Sequence, residues 1–396
     1  MNTEIRVMLC DDSAIMRRLI KSSLQIEPRL KVVCEAKHGG DAVEKFPQAK
    51  PDVIIMDVEM PVLDGVEAVR ELRRRGCKTP IIMFSSLTSR GAEASLDAIA
   101  AGATDFATKP VGSGHIAIAM KSLQRDLIPK LVLWADKKQN SSFRQPQLLA
   151  KRPPTSDSST TPPRSSTLPK NAAQSSSRPC VDSPTSLSNS LLDSRRVSMI
   201  AVGVSTGGPQ ALATMIGALP KPLPVPMVIT QHMPPVFTGL LAQRLSAQCK
   251  CDVREAKDGE ELVAGSILIA PGDFHLSVLR HRAQVQAKLD QEAAVNSCRP
   301  SVDPLFFSVA KFFGKQALGI VLTGMGQDGA DGAKRLRDAG GAVIVQDQES
   351  SVVWGMPGEV AKRGLADCVL PIDQIGIEVS RMICGAKSPR RPVLSQ

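Results

Sequence analysis

Eight polar residues stand where apolar runs end, and their types suit two different chemistries. In the first third of the chain, IRVMLC runs into Asp11 and Asp12, DVIIM into Asp57, PIIMF into Ser85, and TDFAT into Lys109 and Pro110. Three carboxylates in one place repel unless a cation lies among them. A hard, oxygen-preferring divalent ion such as Mg²⁺ meets that need. Lys109 adds an ammonium and Ser85 a hydroxyl. The set suits an Asp nucleophile attacking phosphorus, with cation and ammonium neutralising the transferring group.

In the second half, MIAVGV runs into Ser205-Thr206-Gly207-Gly208-Pro209, PMVIT into Gln231-His232, and ALGIVLTG into Met325-Gly326-Gln327-Asp328. Residues 203–207 fit G-x-S-x-G. Small residues allow a sharp strand-to-helix turn that lifts the Ser205 hydroxyl above a sheet edge. A helix N-terminus there favours developing negative charge, and the same geometry would serve a simple anion site. A serine needs a base to become a nucleophile. His232 follows the next strand; His275, after ILIAPGDF, is its rival. Asp328 is placed to orient the base, which completes the layout of a triad. The order Ser…His…Asp differs from the Ser…Asp…His of lipase-type hydrolases.

Both halves alternate short apolar strands with helix-length amphipathic stretches, such as Ile15–Leu24 and Val66–Arg75. Near-continuous apolar strands between helices predict parallel sheets covered on both faces. In such sheets functional groups collect beyond the carboxyl ends of the strands. The predicted class is α/β: an N-terminal (βα)5 domain over 1–125 and a doubly wound, Rossmann-like domain over 196–388. Between them, 126–195 reads as a flexible Ser/Pro-rich linker. Its stretch KRPPTSDSSTTPPRSSTLPK has too few large apolar residues to offset the entropy of ordering.

The 396 residues are 42% apolar and 22% charged, ordinary values for a globular chain. No apolar run approaches the roughly 18 residues of a membrane span, and MNTEIRVMLCDD lacks a leader's h-region. Nine scattered cysteines suit a reducing, cytoplasmic setting rather than a disulfide framework. The Cys249-x-Cys251 pair has no second pair to complete a zinc site. Of the net charge of +10, residues 137–196 hold +7, from ten Lys/Arg against three Asp. The predicted domains are therefore near neutral. With 3% aromatics and no Tyr, nucleic-acid binding is not expected.

The first block resembles a response-regulator receiver domain. The resemblance rests on Asp11-Asp12, VIIMDVEMPVLDG around Asp57, PIIMFSS and GATDFATKP, and spans about 4–122. It implies that Asp57 accepts a phosphoryl group from a histidine kinase. It also implies that Asp11, Asp12, Asp57 and the Glu59 carbonyl hold Mg²⁺, with Ser85 and Lys109 at the phosphoryl group and Phe106 as the aromatic switch residue. The second block resembles the catalytic domain of chemotaxis receptor methylesterases, which also act as glutaminases. GVSTGGP, QHMPPVFTGLLAQRL, IAPGDFH, CRPSVDPLF, VLTGMGQDGADG and VVWGMPGEVAKRG carry that resemblance. It implies a Ser205–His232–Asp328 triad needing no cofactor; backbone amides near Thr206 and Met325 are placed to hold the oxyanion. The implied substrates are glutamyl methyl esters, and glutamines, of methyl-accepting chemotaxis receptors. Gln327 in place of a more usual Asn, Pro235 and the longer linker are the departures.

Overall fold

The strands of the first domain are short and almost wholly apolar, so they can lie only in the middle of a layered structure. In the computed structural model, which describes residues 4–110, 116–139, 196–282 and 284–384, they do. β1 (Ile5–Cys10), β2 (Leu30–Ala36), β3 (Val53–Asp57), β4 (Ile81–Ser85) and β5 (Asp105–Thr108) form one parallel sheet, ordered β2-β1-β3-β4-β5. Around it pack α1 (Ala14–Leu24), α2 (Gly39–Ala49), α3 (Gly65–Arg74), α4 (Ser89–Ala100) and α5 (Ile116–Asp126). Polar caps set the helix starts: Ser13 Oγ accepts from the Met16 amide at 3.3 Å, and Asp64 from that of Glu67 at 2.8 Å.

The boundary at 125 needs correction. A further helix, α6 (Ile128–Gln139), follows at once, inside the stretch assigned to the linker. Its Leu131, Trp134 and Ala135 are buried against the cluster of Ile5, Val7 and Leu9. The Ser/Thr/Pro composition begins only after this helix. The remainder of the predicted linker, 140–195, lies outside the described residues, as do 385–388.

The second domain has a seven-stranded sheet ordered β14-β13-β12-β6-β7-β9-β8, parallel throughout. Its strands are β6 (Met199–Val204), β7 (Met227–Gln231), β8 (Asp252–Glu255), β9 (Ser266–Ile269), β12 (Ala317–Val321), β13 (Ala342–Gln346) and β14 (Cys368–Leu370). The helices are α7 (Gly208–Gly217), α8 (Phe237–Cys249), α9 (Val302–Phe313), α10 (Ala330–Asp338), α11 (Met356–Lys362) and α12 (Ile372–Cys384). The chain winds outward from β6 to one side and from β12 to the other. Such a switch point leaves a crevice at the carboxyl edge, where ligands bind in open α/β sheets. An antiparallel hairpin, β10 (His275–His281) and β11 (Gln284–Asp290), projects from this plan. Its strands alternate, with Leu276, Val278 and Ala287 buried on one face and polar residues on the other.

Candidate functional site

At the first sheet's carboxyl edge, Asp11, Asp12 and Asp57 each bring one oxygen within 4.8 Å of the others. Lys109 Nζ lies 3.1 Å from Asp11 Oδ2 and 2.7 Å from Asp57 Oδ2. Lys109 is the cation that these two buried oxygens share. Burial pushes the Asp57 pKa up to about 6, with the Asp11 charge adding to it, although Lys109 pulls the other way. Asp11 is raised as well, again chiefly by burial. Two buried carboxylates that resist ionising, with the exposed Asp12 carboxylate beside them, are a donor set suited to a hard divalent cation. Ser85 is at the end of β4, beside Asp57, and its hydroxyl is 2.7 Å from that of Ser95. Phe106 on β5 stacks face to face on Phe237 of the second domain, with centroids 4.6 Å apart.

The raised Asp57 pKa has a stability consequence. Between the unfolded value of about 4 and the folded value of about 6, the folded state binds the proton more tightly. Without a cation, the first domain should therefore gain stability as pH falls from 7 through 6. A shift of that size is worth roughly 3 kcal/mol at most. Calorimetry of Asp57→Asn at pH 7 should show a higher first-domain melting temperature than wild type, and a unchanged or lower one would contradict the burial of an ionised Asp57.

At the second sheet's carboxyl edge, the three strands β7, β6 and β12 lie side by side. The Ser205 amide donates to Thr323 O of the β12 end at 3.0 Å, and the His232 amide to Val204 O at 3.1 Å. The turn after Ser205 closes tightly. Gly207 has φ +78°, and a Cβ there would meet the Val352 side chain at 2.5 Å. Gln231 Nε2 supports the turn from below by donating to Ser205 O at 3.0 Å.

His232 Nε2 contacts Asp328 Oδ2 at 2.8 Å. Asp328 is 2% exposed, yet well supplied with donors. Its Oδ2 also accepts from the Val302 amide at 2.6 Å. Its Oδ1 accepts from Ser301 Oγ at 2.7 Å, Asn296 Nδ2 at 2.9 Å and the Gly329 amide at 3.0 Å. The Val302 amide belongs to the N-terminus of α9, which favours an anion. Burial alone would raise the Asp328 pKa, but these bonds, led by that from His232, hold it below the usual carboxylate range. An ionised Asp328 takes the Nε2–H of His232, so in the neutral imidazole Nδ1 carries the lone pair. Burial works to lower the His232 pKa, and the bonds to Asp328 and Cys298 overcome it and raise it.

Of the three residues expected to form a triad, the structure brings two into contact. Ser205 sits on the adjacent strand end, but its hydroxyl makes no hydrogen bond to the ring among the described residues. Nδ1 instead faces Cys298 Sγ at 3.6 Å. The rival His275 is accounted for otherwise. It is 2% exposed, its Nδ1 accepts from the Ser301 amide at 3.2 Å, and its Nε2 lies 3.2 Å from Ala293 O. It props the α9 N-terminus and does not reach Ser205 chemistry. The amides of Thr206 and Met325 donate no hydrogen bond among the described residues, which suits the oxyanion role expected of them.

Sequence reasoning assigned no role to Gln231, Asn296, Cys298 or Ser301. Ser301 was detectable in part, because a Ser before an apolar helix is a cap signal. Asn296 and Cys298 reach the site through a turn that no periodicity reveals.

Two family models match the chain: CheB methylesterase over residues 200–379 and response regulator receiver domain over residues 7–121. The protein-glutamate methylesterase/protein-glutamine glutaminase of Trichodesmium erythraeum (strain IMS101) is 43% identical over 380 residues, 96% of this chain and 99% of the relative. A protein of the same description from Nocardioides sp. (strain ATCC BAA-499 / JS614) is 41% identical, over 96% of this chain and 95% of its own. The crystal structure of the Thermotoga maritima CheB methylesterase catalytic domain matches 47% of this chain and 98% of its own, at 42% identity and a TM-score of 0.46.

Proposed function

The chain belongs to the CheB methylesterase family, with a receiver domain ahead of the catalytic one, and we propose that Ser205, His232 and Asp328 carry out its hydrolysis of glutamyl methyl esters on chemoreceptors. His232 Nδ1 takes the proton of Ser205 Oγ as the oxygen attacks the ester carbonyl. The amides of Thr206 and Met325 hold the oxyanion. The imidazolium returns its proton to the leaving methoxide, and methanol departs. Water then releases the glutamate by the same path in reverse. With a glutamine side chain, ammonia leaves instead. The observation that carries this reading is the 2.8 Å His232–Asp328 contact, held by the α9 N-terminus beside the Ser205 turn. Such locking fixes the tautomer in which Nδ1 is the base. Methanol release from a panel of methylated receptors, with and without phosphodonor, tests it. The substrates are the receptors' cytoplasmic helices, which places the enzyme in the cytoplasm. No helix among the described residues is long and apolar enough to cross a membrane.

Asp57 is the phosphoacceptor in this reading, and a histidine kinase the donor. Asp11, Asp12 and Asp57 would hold Mg²⁺, with Ser85 and Lys109 at the phosphoryl oxygens. The ion supplies positive charge to the transferring group. Lys109 holds the Asp57 carboxylate, and the buried pocket excludes water from it. Millimolar Mg²⁺ at pH 7 is expected to raise the first-domain melting temperature, and chelation to reverse the rise. Asp57→Asn should weaken that response at least several-fold in metal affinity.

The first domain also lies against the catalytic edge. Lys137 Nζ of α6 donates to Val352 O, and Val352 covers the Gly207 turn. Arg244 of α8 pairs with Asp97 of α4 at 2.7 Å. Phosphorylation acts by loosening this cover.

Gly324 gives a test of the nucleophile's placement. A Cβ at Gly324 would stand 2.4 Å from Met356 Sδ and 2.8 Å from Ser205 Cβ. Gly324→Ala should push the nucleophile aside and lower kcat about 100-fold, since a displacement near 1 Å costs that much. A variant with wild-type kcat would show that Ser205 Oγ is not the attacking atom.

A further inference from the structure

We propose that Cys298 is a second nucleophile on the same imidazole, a thiol modification site at which a peroxide silences the esterase. The inference rests on reading His232 as the general base. Cys298 Sγ is 3.6 Å from His232 Nδ1, the nitrogen left free by Asp328. Distances up to about 4 Å are ordinary for sulfur, so the thiol donates to the same lone pair that Ser205 needs. The grouping is Cys298–His232–Asp328, a thiol, a base and a carboxylate in line, the pattern that activates a sulfur nucleophile.

The thiol is held there by the backbone. Asn296 and Ser297 have φ +52° and +62°, and the Val295 and Cys298 amides donate to each other's carbonyls at 3.1 and 2.9 Å. That is a two-residue turn of the primed type, which suits Asn. Asn296 Nδ2 ties it to the Asp303 and Asp328 carboxylates at 2.8 and 2.9 Å. Cys298 is therefore fixed to the carboxylate that orients the base. It is partly exposed. The other described cysteines differ. Cys10, Cys77 and Cys249 are buried, and burial raises the thiols of Cys34 and Cys368. No other described cysteine has a histidine partner.

The chemistry balances with hydrogen peroxide as oxidant. His232 Nδ1 takes the Sγ proton, and the thiolate attacks one peroxide oxygen. The S–O bond forms and the O–O bond breaks. The departing hydroxide takes the proton back from Nδ1 and leaves as water. Sulfur is oxidised to the sulfenic acid and peroxide is reduced by two electrons. The added hydroxyl then occupies the space at Nδ1 and blocks proton transfer from Ser205. Two equivalents of a small thiol restore the cysteine, giving water and their own disulfide.

The test uses the full-length protein, hydrogen peroxide as the probe, dimedone to trap sulfenic acid, and peptide mass spectrometry as readout. Cys384, exposed on the last helix, is the internal reference. Cys298 should label at least about 10-fold faster than Cys384, because His232 Nδ1, 3.6 Å from its sulfur, stands ready to take the proton as the sulfur attacks. His232→Gln should remove that advantage. Esterase activity should fall in step with labelling in wild type and return with dithiothreitol. Whatever activity Cys298→Ser retains should resist peroxide. Equal labelling of Cys298 and Cys384 would overturn the proposal, as would full peroxide inactivation of Cys298→Ser. Labelling is read without the ester reaction, so failure of the esterase reading would show separately, as absent methanol release from untreated protein.

Discussion

Ser205→Ala is expected to remove methanol release almost entirely, by on the order of 10⁶-fold in kcat, while leaving Asp57 phosphorylation intact. Removing the nucleophile of a serine–histidine pair costs about that much in serine hydrolases generally. Asp328→Asn should cost about 10⁴-fold, because the amide favours the wrong imidazole tautomer. The two losses should not add, since the groups act as one unit. Asp328 also accepts from Asn296, Ser301 and the Val302 and Gly329 amides. Its replacement by Ala would leave buried donors unpaired, at roughly 1–3 kcal/mol each. Circular dichroism melts are therefore read beside the kinetics. A Ser205→Ala enzyme of near wild-type rate would transfer the nucleophile's role elsewhere. A well-folded Asp328→Asn enzyme of full activity would leave the imidazole without its orienting group.

The second large effect concerns the resting rate. Asp57→Asn should abolish stimulation by a phosphodonor. Phe106→Ala should mimic it, raising the unphosphorylated rate several-fold. The Phe106–Phe237 stack is a close, parallel pair at 4.6 Å with both rings buried. Such a pair contributes about 0.5–1.5 kcal/mol beyond its burial, and each 1.4 kcal/mol is a factor of ten in the docking equilibrium. Arg244→Ala should do much less. Asp97 and Arg244 have side chains 50% and 32% exposed, and exposed ion pairs rarely exceed about 1 kcal/mol. Steady-state methanol release without phosphodonor ranks the variants. If removing residues 1–139 left the rate no higher than that of the unphosphorylated full chain, covering of the catalytic edge would not be the regulatory device.

The parallel sheets and the positions of the functional groups were legible in the residue order. Apolar strands such as VIIM and MIAVGV must be buried on both faces, and a parallel strand's carboxyl end is where its polar follower emerges. Asp57, Lys109, Ser205, His232 and Asp328 all obey that rule. The domain boundary was read early because α6 is short and amphipathic. Its Trp134 and Leu131 meet their partners in β1 only after folding. The β10–β11 hairpin was not assigned, although Leu276, Val278, Val285, Ala287 and Leu289 alternate with polar residues; its antiparallel pairing stands apart from the parallel plan that the other strands follow.

What the residue order determined by itself was the inventory at each sheet edge, because alternation and strand polarity are local properties of the chain. Which histidine serves, which nitrogen is free and what faces it were decided only in three dimensions. His232 and His275 follow equivalent strand ends, and they differ in that one meets Asp328 while the other is spent on the Ser301 amide and Ala293. Contacts of that kind join residues 18 to 96 positions apart. Hydrogen bonds act over about 3 Å, so such partners exist only once the packed sheet has brought its ends together.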